Sequence, residues 1–120
     1  MELDTIIQKP NFTVDGRVWL NCENLAFSGP GKIELLLHIK SLGSLRKAAA
    51  AMKMSYRQAW QNIDKMNKLS GTPLVILKRG GKDGGTAEVT DYAQNVINTY
   101  KSLQSAFEVF LKEQSQKLTL

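Results

Sequence analysis

Cysteine and histidine are nearly absent from this sequence, which carries one of each. Cys22 therefore has no intrachain partner for a disulfide, and Cys22 with His38 falls short of the three or four ligands that a zinc centre requires. Neither a disulfide scaffold nor a metal site is expected, and a reducing compartment fits. Long apolar runs are also lacking. None approaches the roughly 18 residues of a membrane span. The opening Met1-Glu2-Leu3-Asp4 is acidic and does not follow the basic-then-apolar order of a signal peptide. The expectation is a soluble, unprocessed, cytoplasmic chain without membrane contact.

Catalytic constellations are missing too. His38 stands among Leu36, Leu37 and Ile39 with no second His or Cys to complete a site, so a structural or surface role is expected. The pairs Asp83/Glu88 and Glu108/Glu113 have no apolar surroundings in sequence to raise a carboxyl pKa and read as solvated charges. The run from Gly80 to Thr86 fails the phosphate-loop pattern, because Lys82 is followed by Asp83. The expectation is a protein that is not an enzyme and holds no cofactor.

Acidic residues are scarce in one stretch above all. From Lys40 to Lys82 ten basic residues face a single acid, Asp64, for a local charge of +9, while the rest of the chain sums to −4. Such a concentration of charge attracts polyanions, with nucleic acid the commonest. On charge alone, an ordinary solvated surface stays equally open.

With 120 residues and 42% hydrophobic content, the chain can bury the core of one domain. Residues 1–11 lack periodicity and read as a loose arm. Val18-Trp19-Leu20 and Leu25-Ala26-Phe27, about a turn at Asn21–Asn24, read as a short hairpin. Ser28-Gly29-Pro30 offers cap-and-start chemistry for a first helix, with Ile33, Leu36, Leu37 and Ile39 as its buried stripe and Gly43 as its stop. Ser44 caps a short alanine-rich helix over Leu45 to Met52, and Ser55-x-x-Gln58 fits a capping box for a third helix from Tyr56 to about Lys68.

Pro73–Leu77 and Thr86–Val89 read as two strands about a glycine-rich basic tip. Thr90 or Asp91 caps the last helix, along which Val96, Tyr100, Leu103, Phe107 and Phe110 recur at spacings of 4, 3, 4 and 3.

Two short helices joined by a tight turn and followed by a basic hairpin give the order of a winged helix-turn-helix. The fold class expected is mainly α with small β hairpins (α+β). One domain spans 1–120, with a dimerisation helix over 90–113 and a tail over 114–120.

On the third helix Ala59, Ile63 and Met66 share the core side, while Arg57, Gln61, Asp64 and Lys68 share the opposite face, with Tyr56 and Trp60 at its flank. Such a face suits a major groove, since Arg can bond guanine, Gln adenine, and an aromatic ring a thymine methyl. Packing or groove-shaping is the alternative for Trp60, because large aromatics usually bury. The DNA-binding set read from the sequence is Ser44, Arg46, Lys47, Ser55, Tyr56, Arg57, Trp60, Gln61, Lys65, Lys68, Lys78, Arg79 and Lys82. Within it Arg46, Lys47, Lys78, Arg79 and Lys82 are placed to meet phosphates. The dimer interface read from the sequence is Val96, Tyr100, Leu103, Phe107 and Phe110, since their stripe exceeds what a compact domain covers.

Gly43-Ser44, Ser55-Tyr56, Ala59-Trp60, Met66-Asn67, Pro73-Leu74-Val75, Gly80-Gly81, Gly84-Gly85 and Thr90, with Gly16-Arg17-Val18-Trp19-Leu20, occur in one order over residues 16 to 111. This run resembles the N-terminal DNA-binding domain of ModE-type molybdate-responsive regulators, which have LysR-like helix-turn-helix architecture. The resemblance implies a winged helix domain that dimerises through its terminal elements and binds double-stranded DNA at a palindromic operator. It carries the recognition role to Ser55, Tyr56, Arg57 and Trp60 and the wing role to Arg79 and Lys82.

Asp91 is followed by Tyr92-Ala93 where members of that family often have a Gly two residues after the Thr and acid, a departure at the start of the last helix. The molybdate-binding domains of those regulators have no counterpart before Leu120, so a stand-alone form lacking the molybdate-binding domain is expected, and the resemblance does not carry molybdate binding to this chain. The leading reading is a homodimeric, sequence-specific transcription regulator on an inverted-repeat operator. The rivals are a winged helix turned protein-interaction module and an oxyanion sensor for molybdate or tungstate.

Overall fold

The computed structural model describes residues 9–80 and 85–120. Its elements run β1 (Leu20–Cys22), β2 (Leu25–Ser28), α1 (Pro30–Leu42), α2 (Leu45–Ala51), α3 (Tyr56–Ser70), β3 (Val75–Lys78), β4 (Thr86–Val89) and α4 (Asp91–Gln116). This is the expected winged helix-turn-helix, an α+β fold with two separate antiparallel hairpins. No described helix is long and apolar enough to cross a membrane. Of the arm read over 1–11 and the tip over 80–85, residues 1–8 and 81–84 lie outside the described residues, Lys82 among them.

Boundaries differ from the sequence reading for local reasons. The first hairpin starts two residues later than Val18 and turns at Glu23 and Asn24, both with positive φ (49° and 68°), the geometry that matches strand twist in a two-residue turn. Helix α1 is begun by Pro30, but Ser28 does not cap it: Gly29 stands at the N-cap and supplies no side chain. Its buried arc is Ile33, Leu35, Leu36 and Ile39, so Leu35 takes a place the sequence reading gave to half-buried Leu37. Gly43 stops the helix at φ 66°, where a side chain would be strained. Its N–H donates to the Ile39 carbonyl at 2.8 Å, and its own carbonyl accepts from Ala87 N–H at 2.9 Å. The helix end is thereby bonded to β4.

The core is assembled from α1 inward. Leu35, Leu36 and Ile39 are inaccessible, as are Ala48 of α2, Ala59 and Met66 of α3, Leu74 beside β3, and Ala93 and Ile97 of α4. Burying a large aliphatic side chain stabilises by about 1.5–3 kcal/mol, and alanine at 48 and 59 lets the short helices approach closely. Helix α3 keeps its expected inner side of Ala59, Ile63 and Met66.

Helix α4 runs three residues past the expected end at 113, leaving a shorter tail. Thr90 caps it, its hydroxyl accepting from Ala93 N–H at 3.1 Å while donating to the Pro73 carbonyl at 2.8 Å. Only the first ten residues of α4 contribute buried side chains. Beyond Tyr100 the helix leaves the core, and the molecule extends over 73 × 32 × 21 Å with a radius of gyration of 20.0 Å. A compact chain of this length would have a radius of roughly 14 Å.

The segment before β1 lies antiparallel to the departing helix. Tyr100 hydroxyl donates to the Val18 carbonyl at 3.0 Å, the Phe107 ring lies against Gly16, and Val14 N–H donates to Ser115 Oγ at 2.8 Å.

Candidate nucleic-acid interface

Helix α3 presents its first turns to solvent. Ser55 holds the N-terminus, its hydroxyl accepting from Gln58 N–H at 3.0 Å. This is one half of the expected capping box, and the Gln58 amide makes no return bond among the described residues. Tyr56, Arg57, Gln58 and Gln61 are exposed, and Trp60 keeps 44% of its surface accessible. That exposure favours the groove-lining alternative for Trp60 over core packing.

Tyr56 and Trp60 form one wall of a groove of about 430 Å³ between α2, α3 and the wing. Ser44, Arg46 and Lys47 come to it from the start of α2, and Lys78 and Arg79 from the end of β3. Ser44 caps α2 by accepting from Lys47 N–H at 3.2 Å, which orients the helix start that carries both cations. The Arg46 guanidinium lies over the Tyr56 ring, 4.9 Å from its centroid, a cation–π contact across the two helices. No acidic side chain lines the groove among the described residues. Lys78 also meets Glu88 across the hairpin at 3.8 Å, an exposed pair of little weight.

Lys82 lies outside the described residues, and the other residues of the sequence-read set lie outside this groove. Arg57 and Gln61 occupy the outer face of α3. Lys68, two turns on, is held by Asp64 at 2.8 Å as an i,i+4 pair, so the two charges largely cancel locally. Lys65 lies on the flank away from the wing, close enough to Lys32 of α1 for its charge to act there. Lys32 is pushed below the ordinary lysine value of 10.5, first by burial and then by Lys65. Of the stripe read as a dimer interface, Val96 and Tyr100 are covered by their own chain and Phe107 is half-buried, while Leu103 and Phe110 are exposed.

Two residues of consequence were missed. The Asn67 carboxamide accepts from buried Leu74 N–H at 2.8 Å and donates to the Val75 carbonyl at 3.2 Å, tying α3 to the start of the wing. Its one sequence cue was the Met66-Asn67 pair, on the border of core and surface. Lys32 sits outside the basic stretch and is brought to α3 only by tertiary packing.

Comparisons with known proteins fit this geometry. The chain is 40% identical over 94 residues to the DNA-binding transcriptional dual regulator ModE of Escherichia coli K12, covering 75% of this chain and 36% of that protein. It is 37% identical over 87 residues to the molybdenum transport protein ModE of Azotobacter vinelandii, covering 72% and 32%. With the transcriptional regulator ModE of Yersinia pestis it shares 38% over 103 residues, covering 82% and 39%. The chain thus spans about a third of the length of these relatives. In fold it is similar to the crystal structure of a LysR family transcriptional regulator, with a TM-score of 0.50 and 19% identity over 69% of this chain and 29% of that one. Residues 31–94, more than half of the chain, match the model of the bacterial regulatory helix-turn-helix proteins of the lysR family, and the chain belongs to that family.

Proposed function

We propose that this chain binds double-stranded DNA sequence-specifically and regulates transcription, as a homodimer on an inverted-repeat operator. The observation that carries the reading is the exposed first half of α3, standing beside a groove that no acidic side chain lines among the described residues and whose far walls bring Arg46, Lys47, Lys78 and Arg79. A helix of this kind enters the major groove by its N-terminal residues, and cations on either side meet the phosphates. Arg57 and Gln61 take base edges, Tyr56 and Trp60 contact thymine methyls or sugars, and Lys82 extends the wing contact. DNA binding and regulation also stand in the name of the Escherichia coli relative. The segment shared with it is the one that folds into the helix-turn-helix.

The dimer rests on the part of α4 that leaves the core. Leu103, Val109 and Phe110 are 42%, 57% and 51% exposed. Phe107 and Phe110 stack with centroids 6.1 Å apart. An apolar face of this kind, unsupported by its own domain, marks an interface. A two-fold axis there repeats α3, so half-site centres fall about 10 base pairs apart or a multiple of that. The test is selection of bound duplexes from a random-sequence pool. An enriched inverted repeat with that spacing supports the reading, whereas an enriched single half-site or no enrichment contradicts it.

A further inference from the structure

We infer that Tyr56 is a positioning residue whose ring face holds the Arg46 guanidinium ready for one DNA phosphate, so that a side chain of α3 sets the phosphate contact made from α2. The inference rests on the DNA-binding reading above and gives the two residues one joint role within it.

The Arg46 guanidinium carbon lies 4.9 Å from the Tyr56 ring centroid, inside the range of about 6 Å over which an aromatic face attracts a cation. The two residues belong to different helices, and each backbone is fixed at its own helix start. The Ser44 hydroxyl accepts from Lys47 N–H at 3.2 Å on one side, and the Ser55 hydroxyl accepts from Gln58 N–H at 3.0 Å on the other. Leu45 and Ala48 of α2 and Ala59 of α3 are buried, so core packing sets the distance between the two starts. Both side chains nevertheless stay outside the core, Arg46 exposed and Tyr56 42% exposed, and both line the groove.

The fold itself gains little from a cation at position 46. Arg46 lies in the first turn of α2, where the helix dipole disfavours positive charge, and among the described residues it forms no ion pair. Its contact with the Tyr56 ring answers the charge without requiring the N–H donors of the guanidinium, which pair with phosphate oxygens two at a time. A free arginine side chain gives up its rotamer freedom when it grips a phosphate, whereas one already held gave it up on folding. Holding the group in advance therefore strengthens binding without adding a contact.

The experiment is a double-mutant cycle on the full chain, with affinity for a scrambled duplex measured against salt, because such a duplex reports phosphate contacts rather than base edges. Arg46→Gln should lower the salt slope by about one. Tyr56→Leu should keep the slope of the parent, since the same phosphate is still neutralised, and lose about tenfold in affinity. The two changes together should bind little worse than Arg46→Gln alone. Arg46→Lys keeps the charge without the planar group, so it should keep the slope and fall to the level of Tyr56→Leu. Tyr56→Phe retains the ring face and should recover most of what Tyr56→Leu loses. Both side chains are exposed, so the urea midpoints should stay near that of the parent. Losses that simply add, a slope that falls in Tyr56→Leu, or a midpoint that drops in step with affinity would overturn the inference while leaving the DNA reading in place. A parent without salt-dependent duplex binding removes the DNA reading, and this inference with it.

Discussion

Asn67 fixes where the wing stands relative to α3, because its carboxamide meets both an N–H and a carbonyl of the incoming chain at Leu74 and Val75. Removing it strands the N–H of a fully buried residue, an expense of about 1–3 kcal/mol. Asn67→Ala should therefore lower the urea midpoint by that amount and weaken DNA binding, whereas an exposed control such as Asn98→Ala should do neither.

Tyr100 makes a pH-dependent contribution. Burial raises its phenol above the ordinary value of 10.0, with Arg17 partly opposing the shift, and the hydroxyl donates to Val18. The unfolded phenol ionises first as pH rises, so the folded state holds more protons and stability falls above about pH 10, while the full contribution is present below it. Urea titrations from pH 8 to 11 should show this loss in the parent and not in Tyr100→Phe. Parallel curves would contradict it.

At the level of elements, α3 shows how much a sequence discloses. Its inner side was legible because Ala59, Ile63 and Met66 recur at helical spacing, and its start because Ser55 is a strong N-cap residue. The groove wall was legible in part. Ser44, Arg46 and Lys47 precede α3 by about ten residues and Lys78 and Arg79 follow it by a similar distance, so local order alone brings them near. The pairing of Arg46 with Tyr56 was not, since a cation–π contact depends on the angle between two helices. The approach of Lys32 to Lys65 was hidden for the same reason, as was the division of the α4 stripe, where the arm before β1 covers part of what periodicity marks as exposed. The reading of Ser28 as part of a cap failed because the helix begins one residue later than its hydroxyl can serve.

The cap of α3 gives the prediction at this scale. Ser55→Ala should cost about 1 kcal/mol of stability and fray the turn that carries Tyr56 and Arg57. Operator affinity should then fall more than affinity for random duplex. Ser55→Asp should restore the helix, though not the affinity, because it sets a carboxylate near phosphates.

For the whole molecule, the elongated shape follows from a helix of 26 residues that supports the core with only its first ten. Such a lever, about 39 Å long, leaves Leu103, Val109 and Phe110 exposed, and these are the residues to which the proposed dimer assigns a partner. Replacing Leu103 and Phe110 together by Asp should give a folded monomer in sedimentation equilibrium, with the same melting curve at low concentration and much weaker binding to an inverted repeat. An unchanged dimer would move the interface elsewhere.

The central claim is that α3 reads DNA between two cationic edges. It is tested most directly by measuring the affinity of the parent and of Arg57→Ala for a selected and a scrambled duplex across a range of salt. Raising salt from about 50 to 200 mM should weaken both proteins on both duplexes by roughly 10³ to 10⁵, as expected for six to ten displaced phosphate counterions. Arg57→Ala should lose about 1–3 kcal/mol on the selected duplex and little on the scrambled one. Salt-independent binding, or a sequence preference that survives Arg57→Ala intact, would contradict the account.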